Sequence, residues 1–100
     1  MRATIFAMHI AVLTLNFHLE GCASLKEKRQ RLSGLRDRFG RLPNVAVCES
    51  GEQDALQRAE WSFVVVAGTR AIADKQVADI ETFVAESLDA RVSARELEYL

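Results

Sequence analysis

Two hydrophobic periodicities alternate along the chain, and their order constrains the fold more than any other feature of the sequence. Two segments carry apolar residues at helical spacing, and four carry the alternation or the β-branched enrichment of strands. The strands are predicted at residues 8–19, 44–50, 60–67 and 91–99. A connection that runs from one strand through a helix to a parallel strand of the same sheet is right-handed. The order strand–helix–strand–strand–helix–strand therefore predicts an α+β, ferredoxin-like βαββαβ two-layer sandwich. Its four-stranded antiparallel sheet carries both helices on one face.

Local signals define the two predicted helices. Ser24 and Glu27 have the spacing of a capping box, in which the Ser24 hydroxyl accepts from the Glu27 amide and the Glu27 carboxylate reaches back. Gly40 ends this first helix. Thr69 has the position of an N-cap for the second helix. Lys28 falls inside the apolar arc of the first helix, and we expect its ammonium group to extend outward to solvent.

Charge is distributed unevenly along the chain, although the net charge is only −1. Residues 24–41 contain seven basic and two acidic residues, a net of +5, whereas residues 42–100 contain five basic and eleven acidic residues, a net of −6. The helical wheel places arginines on both edges of the apolar stripe, as a ridge that can track nucleic-acid phosphates. The predicted phosphate contacts are Lys26, Arg29, Arg31, Arg36 and Arg38. The alternative is a solvated helix face that pairs partly with the protein's own acids.

The first predicted strand has two unlike faces, and the difference predicts a self-association surface. One face is apolar almost throughout, whereas the other begins with Met8, Ile10 and Val12 and then becomes polar. Since helices cover only one face of this fold, we expect an exposed apolar patch at which a second copy docks as a homodimer. Trp61 and Phe63 share one face of the third strand and are predicted to join that interface. The alternatives are core positions for the two aromatics and scattered surface residues for the patch.

Four short segments resemble one family of small bacterial proteins. They are SLKEKR at 24–29, NVAV at 44–47, QRA at 57–59 and VVV at 64–66. Together they resemble the YlxP-like family, a bacterial domain of unknown function (number 503), from about Met8 to the C-terminus. One departure is Ala55-Leu56, where many relatives carry Leu-Trp.

The resemblance carries its own implications. It implies a ferredoxin-like fold, no established catalytic residues and a family start at Met8. Residues 1–7 are then an N-terminal extension of a single domain at 8–100, and we expect their deletion to change stability little. Genes of the family often lie among those of transcription and translation factors, including a ribosome-maturation factor. This is an association and names no mechanism.

The residue pattern favours a binding protein over an enzyme. No nucleophile elbow, glycine-rich phosphate loop or CxxC motif is present in the sequence. His9 and His18 are predicted on opposite faces of one strand, so they cannot share a metal. Cys22 and Cys48 lack metal-binding spacing and are expected to be reduced thiols. The apolar stretch at the N-terminus is too short for a membrane span, which needs about twenty residues.

We therefore expect a non-enzymatic, cytoplasmic accessory factor, without cofactor or membrane contact, that binds RNA or the ribosome through its basic first helix. The alternative is a homodimeric protein-interaction or ligand-sensing module without nucleic-acid binding. A third possibility, an acylphosphatase-like enzyme, fits poorly because the loop at 20–23 lacks the arginine that such enzymes need.

Overall fold

A computed structural model describes residues 8–100, and its elements follow the predicted order. They are β1 (His9–His18), α1 (Leu25–Phe39), β2 (Val45–Gly51), β3 (Arg58–Ala67), α2 (Arg70–Ser87) and β4 (Arg91–Tyr99). The strands form one antiparallel sheet in the order β2-β3-β1-β4. This is the predicted ferredoxin-like βαββαβ sandwich, and the main difference in bounds is that β3 begins two residues earlier than expected. The predicted extension at residues 1–7 lies outside the described residues.

The cap signals place α1 and α2. The Ser24 hydroxyl accepts from the Glu27 amide at 3.0 Å, as the capping box requires. The Glu27 carboxylate accepts from the Ala23 amide at 3.3 Å, one residue before the expected partner. The Thr69 hydroxyl accepts from the Ile72 amide at 3.1 Å and begins α2. Within residues 8–100, neither helix is long and apolar enough to cross a membrane.

The core lies between the sheet and the two helices. One face of β1 is completely buried and holds Ala11, Leu13, Leu15 and Phe17. Leu13 pairs with Phe63 across the sheet, and Leu15 pairs with Trp61. Directly paired residues on antiparallel strands point to the same face, so both aromatics lie under the helices.

The expectation that Trp61 and Phe63 form part of the dimer interface is therefore wrong. Phe63 is 0% exposed and its ring packs edge-on against Phe39, with centroids 6.0 Å apart. Trp61 is 7% exposed. Neither residue lies on the face that carries Ile10 and Val12, because those two pair with valines of β3 that point away from the helices.

Gly34 allows the two helices to approach closely. A Cβ atom at this position would lie 3.1 Å from Cζ of Phe83 on α2, tighter than ordinary van der Waals contact. The Phe83 ring in turn packs edge-on against Phe39, with centroids 5.4 Å apart. The cost of a glycine within a helix, about 1 kcal/mol relative to alanine, thus accompanies a specific packing contact.

Candidate functional site

Five cations in the α1 segment share one property: none forms an ion pair with any described residue. They form the basic ridge, defined as Lys26, Arg29, Arg36, Arg38 and Arg41. All five are exposed. In the rest of the described chain the pattern is reversed. There, the cations that contact a carboxylate are Arg58, Arg70, Lys75 and Arg95, and Arg91 is the exception.

Arg31, a predicted phosphate contact, is engaged within the protein. Its guanidinium donates to the Glu20 carbonyl and the Asp89 carbonyl, both at 2.9 Å. It also lies 3.2 Å from the Glu27 carboxylate and 3.3 Å from the Asp89 carboxylate, and its side chain is only 13% exposed. These contacts tie α1 to the turns after β1 and α2, so the phosphate assignment of Arg31 is not retained.

Aromatic rings orient two arginines of the basic ridge. The Arg36 guanidinium lies 5.4 Å from the centre of the Trp61 ring. The Arg38 guanidinium lies 5.9 Å from the Phe39 ring and 5.5 Å from the Phe83 ring. Such cation–π contacts use the flat side of the guanidinium and leave its N–H groups free to donate. Both arginines are thereby positioned without a carboxylate.

Lys28 is buried, contrary to the expectation that it extends to solvent. The residue is 3% exposed, and its ammonium group donates to the Glu52 carbonyl at 2.8 Å and the Ala55 carbonyl at 2.7 Å. The Glu49 carboxylate lies 3.4 Å away. A buried ammonium needs such partners, and the β2–β3 loop supplies them. Glu52 adopts a positive φ of 59° in this loop, a conformation that non-glycine residues seldom adopt.

A groove of about 410 Å³ lies between α1 and the β2–β3 edge of the sheet. It is lined by Leu25, Lys28, Arg29, Leu32, Ser33, Arg36, Asp37, Glu49, Gln53 and Trp61. The indole N–H of Trp61 is buried and donates to no acceptor in the described part of the chain. Two arginines of the basic ridge thus share the groove with Trp61, whose indole N–H is buried. Sequence patterns did not indicate this groove, because its walls come from segments far apart in the chain.

A second charged cluster joins the start of α2 to the end of β4. The Tyr99 hydroxyl donates to the Asp74 carboxylate, and the Arg70 guanidinium donates to the same carboxylate at 3.1 Å. Both hydrogen bonds lower the pKa of Asp74, and the bond to Asp74 raises the pKa of Tyr99. The Arg70 guanidinium also lies 3.5 Å from the centre of the Tyr99 ring. The cluster links two elements and lies apart from the basic ridge.

The two thiols of the chain differ in burial, and neither forms a disulfide. Cys22 is buried and Cys48 is exposed, and both are free. Within residues 8–100, no three histidine, cysteine, aspartate or glutamate side chains come together as metal ligands do.

Comparison with solved structures gives distant likenesses of fold. Protein SO0527 from Shewanella oneidensis is similar at 17% identity and a TM-score of 0.53, covering 93% of this chain and 88% of its own. A dimeric ferredoxin-like protein of unknown function from Thermobifida fusca has 17% identity, a TM-score of 0.45 and coverage of 93% and 90%. A dimeric ferredoxin-like protein of unknown function from Bacteroides fragilis has 10% identity, a TM-score of 0.47 and coverage of 94% and 95%.

Comparison by sequence gives a family. No curated protein matches the chain. The model of the family described as "Protein of unknown function (DUF503)" matches residues 10–97, which is most of the chain and nearly all of the described sandwich. The resemblance drawn from the four short segments is thereby confirmed, and the chain belongs to the DUF503 family.

Proposed function

We propose that this protein binds structured RNA, as a ribosome- or RNA-associated accessory factor, through the phosphate contacts of its basic ridge. The observation that carries the proposal is the uneven pairing of cations. Five of the seven cations at 24–41 have no carboxylate partner among the described residues, whereas four of the five at 42–100 have one. Unpaired, exposed cations on one element are the electrostatic footprint of a phosphate-binding surface.

The geometry of α1 suits a polyanion. Its 15 residues extend over about 22 Å, with Arg36 and Arg38 on opposite edges, beside Trp61 and Phe83, and Arg41 just beyond the end of the helix. Phosphate contacts of this kind give affinity without base specificity, which matches a ridge of arginines and a lysine on a regular helix. The central open face of the sheet argues against the alternative of sheet-face RNA recognition, because Val12, Ser62 and Val64 occupy positions where stacking aromatics are needed.

A charge-reduced variant tests the proposal. The ridge variant carries Lys26→Gln, Arg29→Gln, Arg36→Gln and Arg38→Gln, which keep good helix formers in place. Fluorescence anisotropy with a labelled structured RNA is expected to show at least about a hundredfold loss of affinity at low salt, because several phosphate contacts are removed.

A matched control removes the same net charge elsewhere, with Arg58→Gln, Arg70→Gln, Lys75→Gln and Arg95→Gln. Its affinity for the RNA is expected to fall far less, and circular dichroism checks the fold of both variants. Equal losses of RNA affinity in the two variants would show that net charge alone causes the effect. That result would contradict a specific role for the ridge.

We also propose homodimerisation through the open sheet face, because a compact apolar square lies there. Ile10 pairs with Val66, and Val12 pairs with Val64. Val66 is 38% exposed, and neighbouring Met8 is 47% exposed. A row of hydroxyl side chains borders the square at one end, and Glu98 of β4, which pairs with Val12, borders it at the side, as polar rims border interfaces.

A second copy of the chain is the partner that fits this face. Four strands about 4.8 Å apart and up to ten residues long give the sheet a projected area of roughly 600 Å², close to the roughly 800 Å² that each partner of a stable complex buries. A two-fold axis needs only one self-complementary surface. This interface would leave α1 exposed on the outside of both subunits, so the two proposals are compatible.

Sedimentation equilibrium tests the dimer directly. At tens of micromolar we expect a species of twice the 11.2 kDa chain mass. Val64→Lys, on the open face, is expected to shift the equilibrium to the monomer, whereas Ile72→Lys, at a 53% exposed position on α2, should not. A wild-type protein that sediments only as the monomer would refute the interface.

A further inference from the structure

We infer that the groove between α1 and the β2–β3 edge binds a nucleotide whose base carries an exocyclic amino group. The phosphate would bind Arg29 and Arg36, and the base would lie against the floor formed by Leu25, Leu32 and Trp61. For a nucleotide within RNA, the inference rests on the proposed function. For a free nucleotide it stands alone.

The size and lining of the groove fit a small-molecule site. Its volume of about 410 Å³ falls within the range of ligand pockets, about 300 to 1,000 Å³, which combine apolar walls with a few polar groups. Two of its lining residues are arginines that can donate to an anion. Arg29 and Arg36 have no carboxylate partner among the described residues.

Trp61 supplies an observation independent of charge. Its side chain is 93% buried, since only 7% of it is exposed, and it lines the groove. Its indole N–H has no acceptor within residues 8–100, and buried donors normally have one. The exposed Arg36 side chain lies over the same ring. Movement of Arg36 toward a phosphate would free the face of the Trp61 ring for a base.

The acidic side chains of the groove decide between ligand classes. The Glu49 carboxylate lies 3.4 Å from the Lys28 ammonium group, which offsets its charge. Asp37 also lines the groove and forms no ion pair with a described residue. Asp37 offsets part of the attraction of the two arginines for an anion, whereas an amino group on a base would donate to it. A nucleotide of adenine, cytosine or guanine joins an anion, a flat apolar surface, acceptors and a donor in one molecule.

Trp61 is the only tryptophan of the chain, so its fluorescence reports on this groove alone. Excitation near the red edge of indole absorption avoids the nucleotide, and calorimetry gives an independent binding curve. We expect AMP to change Trp61 emission saturably. Adenosine lacks the phosphate, and ribose 5-phosphate and inorganic phosphate lack the base. Each should therefore bind at least about tenfold more weakly than AMP.

Two variants and a control separate binding from folding. The Arg29→Gln, Arg36→Gln double variant is expected to weaken AMP binding at least about tenfold by calorimetry, as loss of charge-assisted hydrogen bonds does. Asp37→Asn should weaken AMP more than UMP, whose base has no amino group. Lys75→Gln, on the far helix, should leave AMP binding unchanged. No saturable AMP signal in either method, or equal AMP affinity in the double variant, would overturn the inference.

Binding experiments with RNA distinguish a nucleotide within RNA from a free nucleotide. If single-stranded oligoadenylate binds much more tightly than AMP and changes Trp61 emission, the ligand is an unpaired nucleotide of RNA. If AMP and oligoadenylate bind alike, the ligand is a free nucleotide. RNA binding that depends on the basic ridge and leaves Trp61 emission unchanged, with no response to AMP, would refute the groove and leave the proposed function intact.

Discussion

Replacement of Lys28 by methionine tests whether the buried ammonium group holds the β2–β3 loop on α1. Methionine keeps the length and the helix propensity of the side chain and removes its charge. Two carbonyl acceptors at 2.7 and 2.8 Å lose their donor, and the Glu49 carboxylate loses its cation. Each hydrogen bond to a charged donor contributes about 1.5 to 3 kcal/mol, but water can reach part of this site after the change, since the Glu49 side chain is 28% exposed. We expect a loss of about 2 to 4 kcal/mol in the free energy of unfolding.

Urea denaturation followed by circular dichroism measures that loss, with an unchanged m-value showing that two-state unfolding persists. Lys26→Met is the matched control, because Lys26 lies on the same helix, is exposed and has no ion-pair partner among residues 8–100. Its effect should stay within about 0.5 kcal/mol.

Glu49 separates the two contributions to the Lys28 contact. Glu49→Gln alone should cost less than about 1 kcal/mol, because the two carbonyl contacts of Lys28 remain. In the double variant Lys28→Met, Glu49→Gln, part of the loss should be recovered, since no unpaired carboxylate is left beside the methionine. A cost below about 1 kcal/mol for Lys28→Met would show that the loop is held by other contacts and not by the ammonium group.

Three further predictions follow from contacts outside the groove. Gly34→Leu should destabilise the fold by about 1 to 3 kcal/mol in urea, because its Cβ alone would press on the Phe83 ring and the rest of the side chain would displace it further; an unchanged midpoint would refute this packing. Arg31→Gln should lower the melting temperature without changing the salt dependence of RNA binding, because Arg31 contacts only the protein. A changed salt slope would show that Arg31 contacts RNA phosphates. The lowered pKa of Asp74 gives stability that is present above about pH 4 and is lost as pH falls through the pKa of Asp74 in the folded state. The raised pKa of Tyr99 gives stability that is present below about pH 10 and is lost as pH rises through the pKa of Tyr99 in the folded state. The difference in melting temperature between the wild type and Tyr99→Phe should therefore be largest between those limits, and a difference independent of pH would contradict the hydrogen bond.

Local signals explain why the fold could be predicted from sequence. The capping box at Ser24, the N-cap at Thr69 and the two periodicities depend on residues within a few positions of each other, and β4 has the predicted bounds. The face of β3 could also be read locally, since Glu60 and Ser62 alternate with the aromatics and mark the polar side. That alternation places Trp61 and Phe63 on the opposite side of β3, under the helices and not on the open face.

The site depends on contacts between residues that are far apart in the chain, and the local spacing of residues does not predict such contacts. Lys28 meets a loop 24 and 27 positions away, and Arg31 meets Asp89, 58 positions away. A helical wheel treats both as members of one basic surface, because it has no information about which neighbours fold against the helix. A lysine within an apolar arc, in a chain with an acidic loop later on, is the one sequence feature that points to burial with a partner.

The salt dependence of RNA binding shows whether the basic ridge contacts phosphates. For the wild type, the logarithm of the association constant with a structured RNA should fall linearly and steeply with the logarithm of salt concentration. The ridge variant, with Lys26, Arg29, Arg36 and Arg38 replaced by glutamine, should have a slope shallower by up to about three units, somewhat less than one for each lost phosphate contact. Equal slopes and equal affinities for the two proteins would contradict the account and leave the basic ridge as a solvated helix face.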